Sequence, residues 1–202
     1  MKSTPLNSVN VKSSVNIASL LHDHRQVIRK LEGMTPQIEL VAKMLTQRLQ
    51  KGGKILWMGN GGSAADAQHL AAELVVRFTR ERKGLAAIAL TTDSSILTAA
   101  GNDYDFEMIF ARQIEALCSP KDAVVGISTS GTSPNIVAGI LAAQKIGAYT
   151  VALTGASGGK LKSLVDVCLD IPSSTTARIQ EAHILIGHII CDWIEAAIVE
   201  GQ

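Results

Sequence analysis

Five short apolar runs constrain this chain more than any other feature: KILWM (54–58), LAAIAL (85–90), DAVVGI (122–127), YTVALT (149–154) and the weaker VDVCLDI (165–171). The first four show no apolar–polar alternation, so each is expected to be covered on both faces. Segments of helical periodicity separate them, at 63–78, near 94–100, at 106–117, at 134–146 and in a short piece after residue 160. A long one closes the chain, from about 175 to 199. Buried strands that alternate with helices build a parallel sheet with helices on both sides. The expected fold class is therefore α/β, a three-layer α/β/α sandwich with a central five-stranded parallel sheet. Upstream, Val15, Leu20, Val27, Ile28 and Leu31 fit one helix, and Ile38, Val41, Ala42, Leu45 and Leu49 fit a second, with Gly33 and Pro36 between them. These helices (14–51) read as an N-terminal extension of a single domain spanning 14–202. Residues 1–13 read as a flexible tail.

Composition narrows the function classes. The 202 residues carry a formal net charge of +1 and no long Lys/Arg run, so no direct nucleic-acid partner is expected. Charged residues make up 18%, below the ~25% of an ordinary soluble domain, while apolar residues make up 47%. That balance points to surface buried between subunits. Cys118, Cys168 and Cys191 are scattered and odd in number, which suits reduced thiols rather than a disulfide frame. The polar start MKSTPLNSVNVKSS has no apolar signal core, and no uninterrupted apolar run is long enough to cross a membrane. The expectation is a soluble, cytoplasmic protein with no membrane partner.

Ligands of open α/β sheets sit at the carboxyl ends of the strands. Three of those ends are rich in glycine or hydroxyls: GNGGS (59–63), STSGTS (128–133) and TGASGGK (154–160). Small side chains let backbone N–H groups converge on an anion, hydroxyls add donors, and a following helix N-terminus adds partial positive charge. No GxxxxGK[ST] occurs, and the third glycine of GNGGSA falls too early for GxGxxG. A small phosphorylated molecule fits better than a nucleotide. The same residues also make ordinary tight turns.

His69 and Glu73, spaced i, i+4 after the first loop, share a helix face that leans back toward it. They can ligate one metal ion, Glu73 can serve as a general base, or the two can form a plain surface pair. Gln180, Glu181, His183 and His188 lie on the otherwise apolar last helix, where polar groups are costly without partners. Gln180 and His188 are separated by about 12 Å of helical rise. They either converge on one ion from opposite ends or serve different subunits. Asp192, four residues beyond His188, is placed to orient its ring. His183 reads as a core or interface histidine. His22-Asp23-His24 reads as a solvated face, because neighbours i and i+2 on a helix point apart.

GNGGSAADAQHLAAEL, AAGNDYDFEMIFARQI, GISTSGTSPNI, VALTGASGGKL and ARIQEAHILIGHII together resemble the phosphoheptose isomerase family of sugar isomerase (SIS) domain proteins, over roughly residues 50–195. The resemblance implies the SIS fold. It also implies conversion of sedoheptulose 7-phosphate to D-glycero-D-manno-heptose 7-phosphate, the first step toward the heptose of lipopolysaccharide and other surface glycans. It implies a cytoplasmic homotetramer with active sites at subunit interfaces and one zinc ion per subunit. Carried over by residue, the metal ligands fall on His69, Glu73, Gln180 and His188, with Glu73 and His188 also the acid/base pair. Substrate would meet Asn60, Gly61, Gly62, Glu73, Asn102, Asp103, Ser128, Thr129, Ser130, Ser133 and Gln180. Two positions depart from the family pattern: Ala177, where some members carry an acid, and Thr132, where Asn or Arg is usual. A non-catalytic tetrameric SIS scaffold that binds the replication initiator is the alternative, but that relative lacks the glutamate and last histidine kept here. A sugar-phosphate sensor would need a DNA-binding segment, and residues 1–50 show no helix-turn-helix.

Overall fold

The computed structural model describes residues 14–201, so the expected tail at 1–13 lies outside the described residues. Five parallel strands form one sheet in the order β2-β1-β3-β4-β5: β1 (Ile55–Gly59), β2 (Ala87–Ala89), β3 (Ala123–Ser128), β4 (Tyr149–Thr154) and β5 (Val167–Asp170). Every residue of β1, β3 and β4 is buried, as runs without polar alternation require. Among the described residues seven α-helices surround the sheet: α1 (Ile17–Leu31), α2 (Thr35–Gln50), α3 (Gly62–Val75), α4 (Ser94–Asp103), α5 (Ala111–Leu117), α6 (Pro134–Ile146) and α7 (Thr176–Glu200). One face packs on α1, α2, α3 and α7, and the other on α4, α5 and α6. The three-layer sandwich and the helical N-terminal extension expected from the sequence are both present.

Some boundaries differ, and each difference has a hydrogen-bonding cause. The strand expected over 85–90 shrinks to three residues, because the Leu85 N–H turns away to the Leu74 carbonyl at 3.0 Å. The helix expected to reach Phe78 stops at Val75, because the N–H groups of Phe78, Thr79 and Arg80 donate to the Glu195 carboxylate. The helix expected over 106–117 starts as a 3-10 turn capped by Asp105 and only then becomes α5. Strand β5 begins two residues late. Its forerunner Asp166 uses its carboxylate to accept from the Thr150 N–H and hydroxyl.

By length and composition α7 could cross a membrane. Here it is the packing partner of α2 and α3, and it carries two fully buried polar residues, His183 and Glu195. At the amino ends of β1 and β3, buried Asp122 accepts from the Lys54 backbone (2.8 Å), the Lys54 ammonium (2.7 Å) and the Ser119 N–H (2.7 Å). Burial pushes its pKa up, and these bonds outweigh that and lower it.

Candidate active site

The strand order reverses between β1 and β3, so their carboxyl ends diverge into a crevice, the place where open α/β sheets bind ligands. The loops after both strands meet there. Asn60 and Asn135 lock them together with reciprocal amide hydrogen bonds of 2.9 and 2.8 Å. Gly61 caps α3 with φ +55°, a conformation that side chains disfavour, and Gly62 leaves room for α7: a Cβ there would lie 2.7 Å from Gln180 Nε2. The amide of Gln180 thus sits over the first turn of α3.

The second loop is a hydroxyl network. Ser128 Oγ lies 2.9 Å from Ser133 Oγ, and Ser130 Oγ accepts from the Thr132 N–H and hydroxyl at 3.2 and 3.1 Å. Thr132, one of the two departures, therefore joins the network. Two shallow pockets flank the loop. One is lined by Thr129, Ser130, Ser157, Ser173 and Thr176, the other by Asn60, Asp105, Phe106, Ser133 and Asn135. Asn102 and Asp103 end α4, both exposed, with the Asn102 amide donating to the Asp103 carboxylate at 2.9 Å. Among the described residues no hydrogen bond ties them to either loop.

About two turns further along, α3 and α7 bring three side chains together. His69 Nε2 lies 2.8 Å from His188 Nε2 and 3.2 Å from Glu73 Oε1. Each of the three offers a ligand atom within 4.8 Å of the others, so they form a group able to hold a metal ion. Ligand atoms held tetrahedrally on one zinc ion sit roughly 3.3 Å apart, close to these separations, and two imidazoles with a carboxylate are a zinc donor set. Gln180 lies over the glycine loop beside Gly62, and His188 meets the i, i+4 pair further along α7. His69 is half exposed and Glu73 four-fifths covered, so the group opens to one side.

Several expectations need correction. Asp192 does not orient His188; it pairs with Arg80 at 2.5 Å. The His188 ring is instead held edge-on by His69 (centroids 5.0 Å apart) and against Phe78 (5.5 Å). His24 is not simply solvated: its Nδ1 meets Glu181 at 2.7 Å, and Glu181 in turn holds Arg178, which donates to the Leu20 carbonyl. That chain docks α1 onto α7. His183, by contrast, is the core histidine expected, with Nε2 3.1 Å from the Thr154 carbonyl, and burial pushes its pKa down to about 4.

Sequence reasoning missed Asn135, Asp66 and the 76–84 loop. Asp66 lies three residues before His69 on the same face, a spacing that was legible. Burial raises its pKa although His69 opposes the shift, and its Oδ2 has no hydrogen-bond partner among the described residues.

Comparison with known proteins agrees with this fold. The SIS domain family model matches residues 21–155. The chain is 55% identical over 180 residues to the phosphoheptose isomerase of Geotalea daltonii, covering 89% of this chain and 94% of that one. Its fold superposes on the solved phosphoheptose isomerase of Neisseria gonorrhoeae with a TM-score of 0.85 at 43% identity, covering 89% of this chain and 97% of that one. For the phosphoheptose isomerase structure from Francisella tularensis the TM-score is 0.87 at 40% identity, covering 89% and 96%.

Proposed function

The chain belongs to the phosphoheptose isomerases of the SIS domain family, and on that premise we propose that it converts sedoheptulose 7-phosphate to D-glycero-D-manno-heptose 7-phosphate. It does so in the cytoplasm, as the first step of heptose supply for surface glycans. The observation that carries the reading is the His69–Glu73–His188 group, set about two helical turns beyond the glycine loop.

The loops hold the phosphate end and the hydroxyls of the open-chain sugar through Asn60, Gly61, Gly62, Ser128, Thr129, Ser130 and Ser133. The N-terminus of α6 adds its dipole. Asn102 and Asp103 reach hydroxyls, as does Gln180. His69, Glu73, Gln180 and His188 would hold one zinc ion, which when bound would polarise the C2 carbonyl. Glu73 removes the proton from C1, and His188 protonates the C2 oxygen. The resulting enediol loses its O1 proton and regains a carbon proton at C2, which leaves the aldose. With Oε1 of Glu73 turned to His69, Oε2 is the oxygen left for the proton.

The protein acts as a homotetramer with active sites at subunit interfaces. An apolar groove lined by Ile28, Leu31, Ile38, Leu185, Ile189 and Trp193, and the exposure of Ile17, Leu20 and Leu21 on α1, support that reading.

The test is turnover of sedoheptulose 7-phosphate with and without added zinc, beside Glu73→Gln. Loss of a general base is expected to cost about 10²–10⁴-fold in kcat with folding unchanged. A folded, zinc-loaded wild type that leaves the substrate untouched overturns the proposal.

A further inference from the structure

Residues 76–84 leave α3 and return to β2 as a closed loop. Its ends are tied by the Leu85 N–H to the Leu74 carbonyl, and Gly84 packs so closely that a Cβ would lie 2.7 Å from the Val75 oxygen. The loop is built around Glu195 of α7, which is fully buried. A buried carboxylate is costly unless saturated with partners. This one accepts from the N–H groups of Phe78 (2.9 Å), Thr79 (2.7 Å) and Arg80 (2.7 Å) and from the Thr79 hydroxyl (3.1 Å). Arg82, its side chain 1% exposed, brings Nε within 3.1 Å of the same carboxylate as a charge contact. Burial pushes the Glu195 pKa up, but these donors outweigh it and hold it at about 2.

The inward contacts of this loop end on the two residues assigned to proton transfer. Arg82 Nη2 donates to the Glu73 carbonyl and Nη1 to the Leu74 carbonyl, both at 2.9 Å, filling acceptors that α3 leaves open at its end. Phe78, fixed by its N–H to Glu195, lays its ring 5.5 Å from that of His188, tilted by 32°. One carboxylate therefore controls the backbone under Glu73 and the side wall of His188, without touching the reacting atoms.

We propose that Glu195 and Arg82 are positioning residues, a buried latch that holds the 76–84 loop so that Glu73 and His188 face one another across the metal position. The activity arm of the test rests on the isomerase reading; the zinc arm does not. Glu195→Gln turns an NH₂ toward backbone N–H donors, and Arg82→Lys removes the fork that spans two carbonyls.

The experiment compares both variants with wild type by thermal melts, by Zn²⁺ affinity in competition with a chromophoric chelator, and by kcat and KM well below the melting temperature. Groups that orient metal ligands typically contribute 10–100-fold in affinity or activity. The expected result is a zinc Kd raised and a kcat lowered by about that factor, with KM little changed. A lowered melting temperature with zinc affinity and kcat intact would make the latch purely structural and overturn the proposal. Phe78→Ala removes no buried charge and covers the case in which the first two variants do not fold. It should move zinc affinity and kcat in the same direction, and no change in either overturns the proposal. If wild type binds zinc without turning over the sugar, the isomerase reading fails, and zinc affinity alone decides on the latch.

Discussion

The two faces of the sheet obey the same rule and end up with different jobs. Strand residues alternate between them. Ile55, Trp57, Val125, Ile127, Val151 and Leu153 face α3 and α7, while Leu56, Met58, Val124 and Ala152 face α5 and α6. On the second face small positions, Gly126 and Ala152 in the strands and Gly139 in α6, let α6 settle close, and the polar side chains buried in its helices are neutral amides, Gln113 and Asn135. The first face buries His183 and Glu195 within its helix layer, and the candidate site opens at its rim. A layer with neutral polar groups fixes register by packing and a few hydrogen bonds to nearby backbone, as Gln113 makes to the Leu90 and Ile109 carbonyls. A layer that must aim polar side chains accepts buried polar groups and partners them one by one. The comparison teaches that the α3–α7 contact, more than the sheet itself, sets the geometry of the site.

The largest expected effect is on acid stability. His183 has a folded pKa of about 4, depressed by burial, against an ordinary 6.5. The unfolded chain therefore binds the extra proton first, so stability is full above pH 6.5 and falls as the pH drops toward 4. The loss is roughly 3 kcal/mol. Denaturant melts of His183→Gln should lose that slope. An unchanged slope would mean that this face does not carry the acid sensitivity.

Next in size is a matched pair of glycines, one per face. A Cβ at Gly187 would lie 2.6 Å from Leu70 Cδ1, and one at Gly139 would lie 2.6 Å from Met58 Sδ. Overpacking costs about 1–3 kcal/mol at each, offset by about 0.5–1 kcal/mol of helix propensity. The consequences for activity should diverge. Leu70 and Gly187 adjoin His69 and His188, so Gly187→Ala spreads α3 from α7. It should lower turnover by up to about 100-fold, the cost of ångström-scale misplacement. Gly139→Ala should leave turnover unchanged. Equal effects on kcat from the two variants would break the contrast between the faces.

The legible parts of the molecule were those written in local pattern. Apolar runs gave five strands, periodicity gave the helices, and glycine and hydroxyl clusters marked the loops at the carboxyl ends. His69 and Glu73 were visible because i, i+4 spacing alone puts them on one face. His188 joined them only through the packing of α7 on α3, which spacing cannot convey. The misplaced partners share that cause. Asp192 looked like an orienting group for His188 by helical spacing, yet Arg80, from a loop far upstream in the chain, claims it. His24 looked solvated until α7 supplied Glu181. Helix α3 looked three residues longer because no local signal reveals that a carboxylate over a hundred residues away collects its following N–H groups.

The smallest effect concerns the seam where the two faces meet. Asn60 and Asn135 hydrogen-bond reciprocally across the crevice, and Asn135 is 2% exposed. Removing either amide strands a buried polar partner, at a cost of about 1–3 kcal/mol. Removing both strands neither amide and leaves only the Ile136 N–H, which donates to Asn135 Oδ1, without its acceptor, so Asn60→Ala with Asn135→Ala should cost less than the two single changes summed. The shortfall in a double-mutant cycle should be about 1 kcal/mol, within the range for contacting residues. Asn135 sits behind the loop rather than in the sugar's path, so Asn135→Ala should raise KM through loop position while leaving proton transfer at Glu73 largely intact. Strict additivity in stability would mean that the loops are placed independently. The crevice would then be a by-product of the strand order, and the amide pair would not be what sets its width.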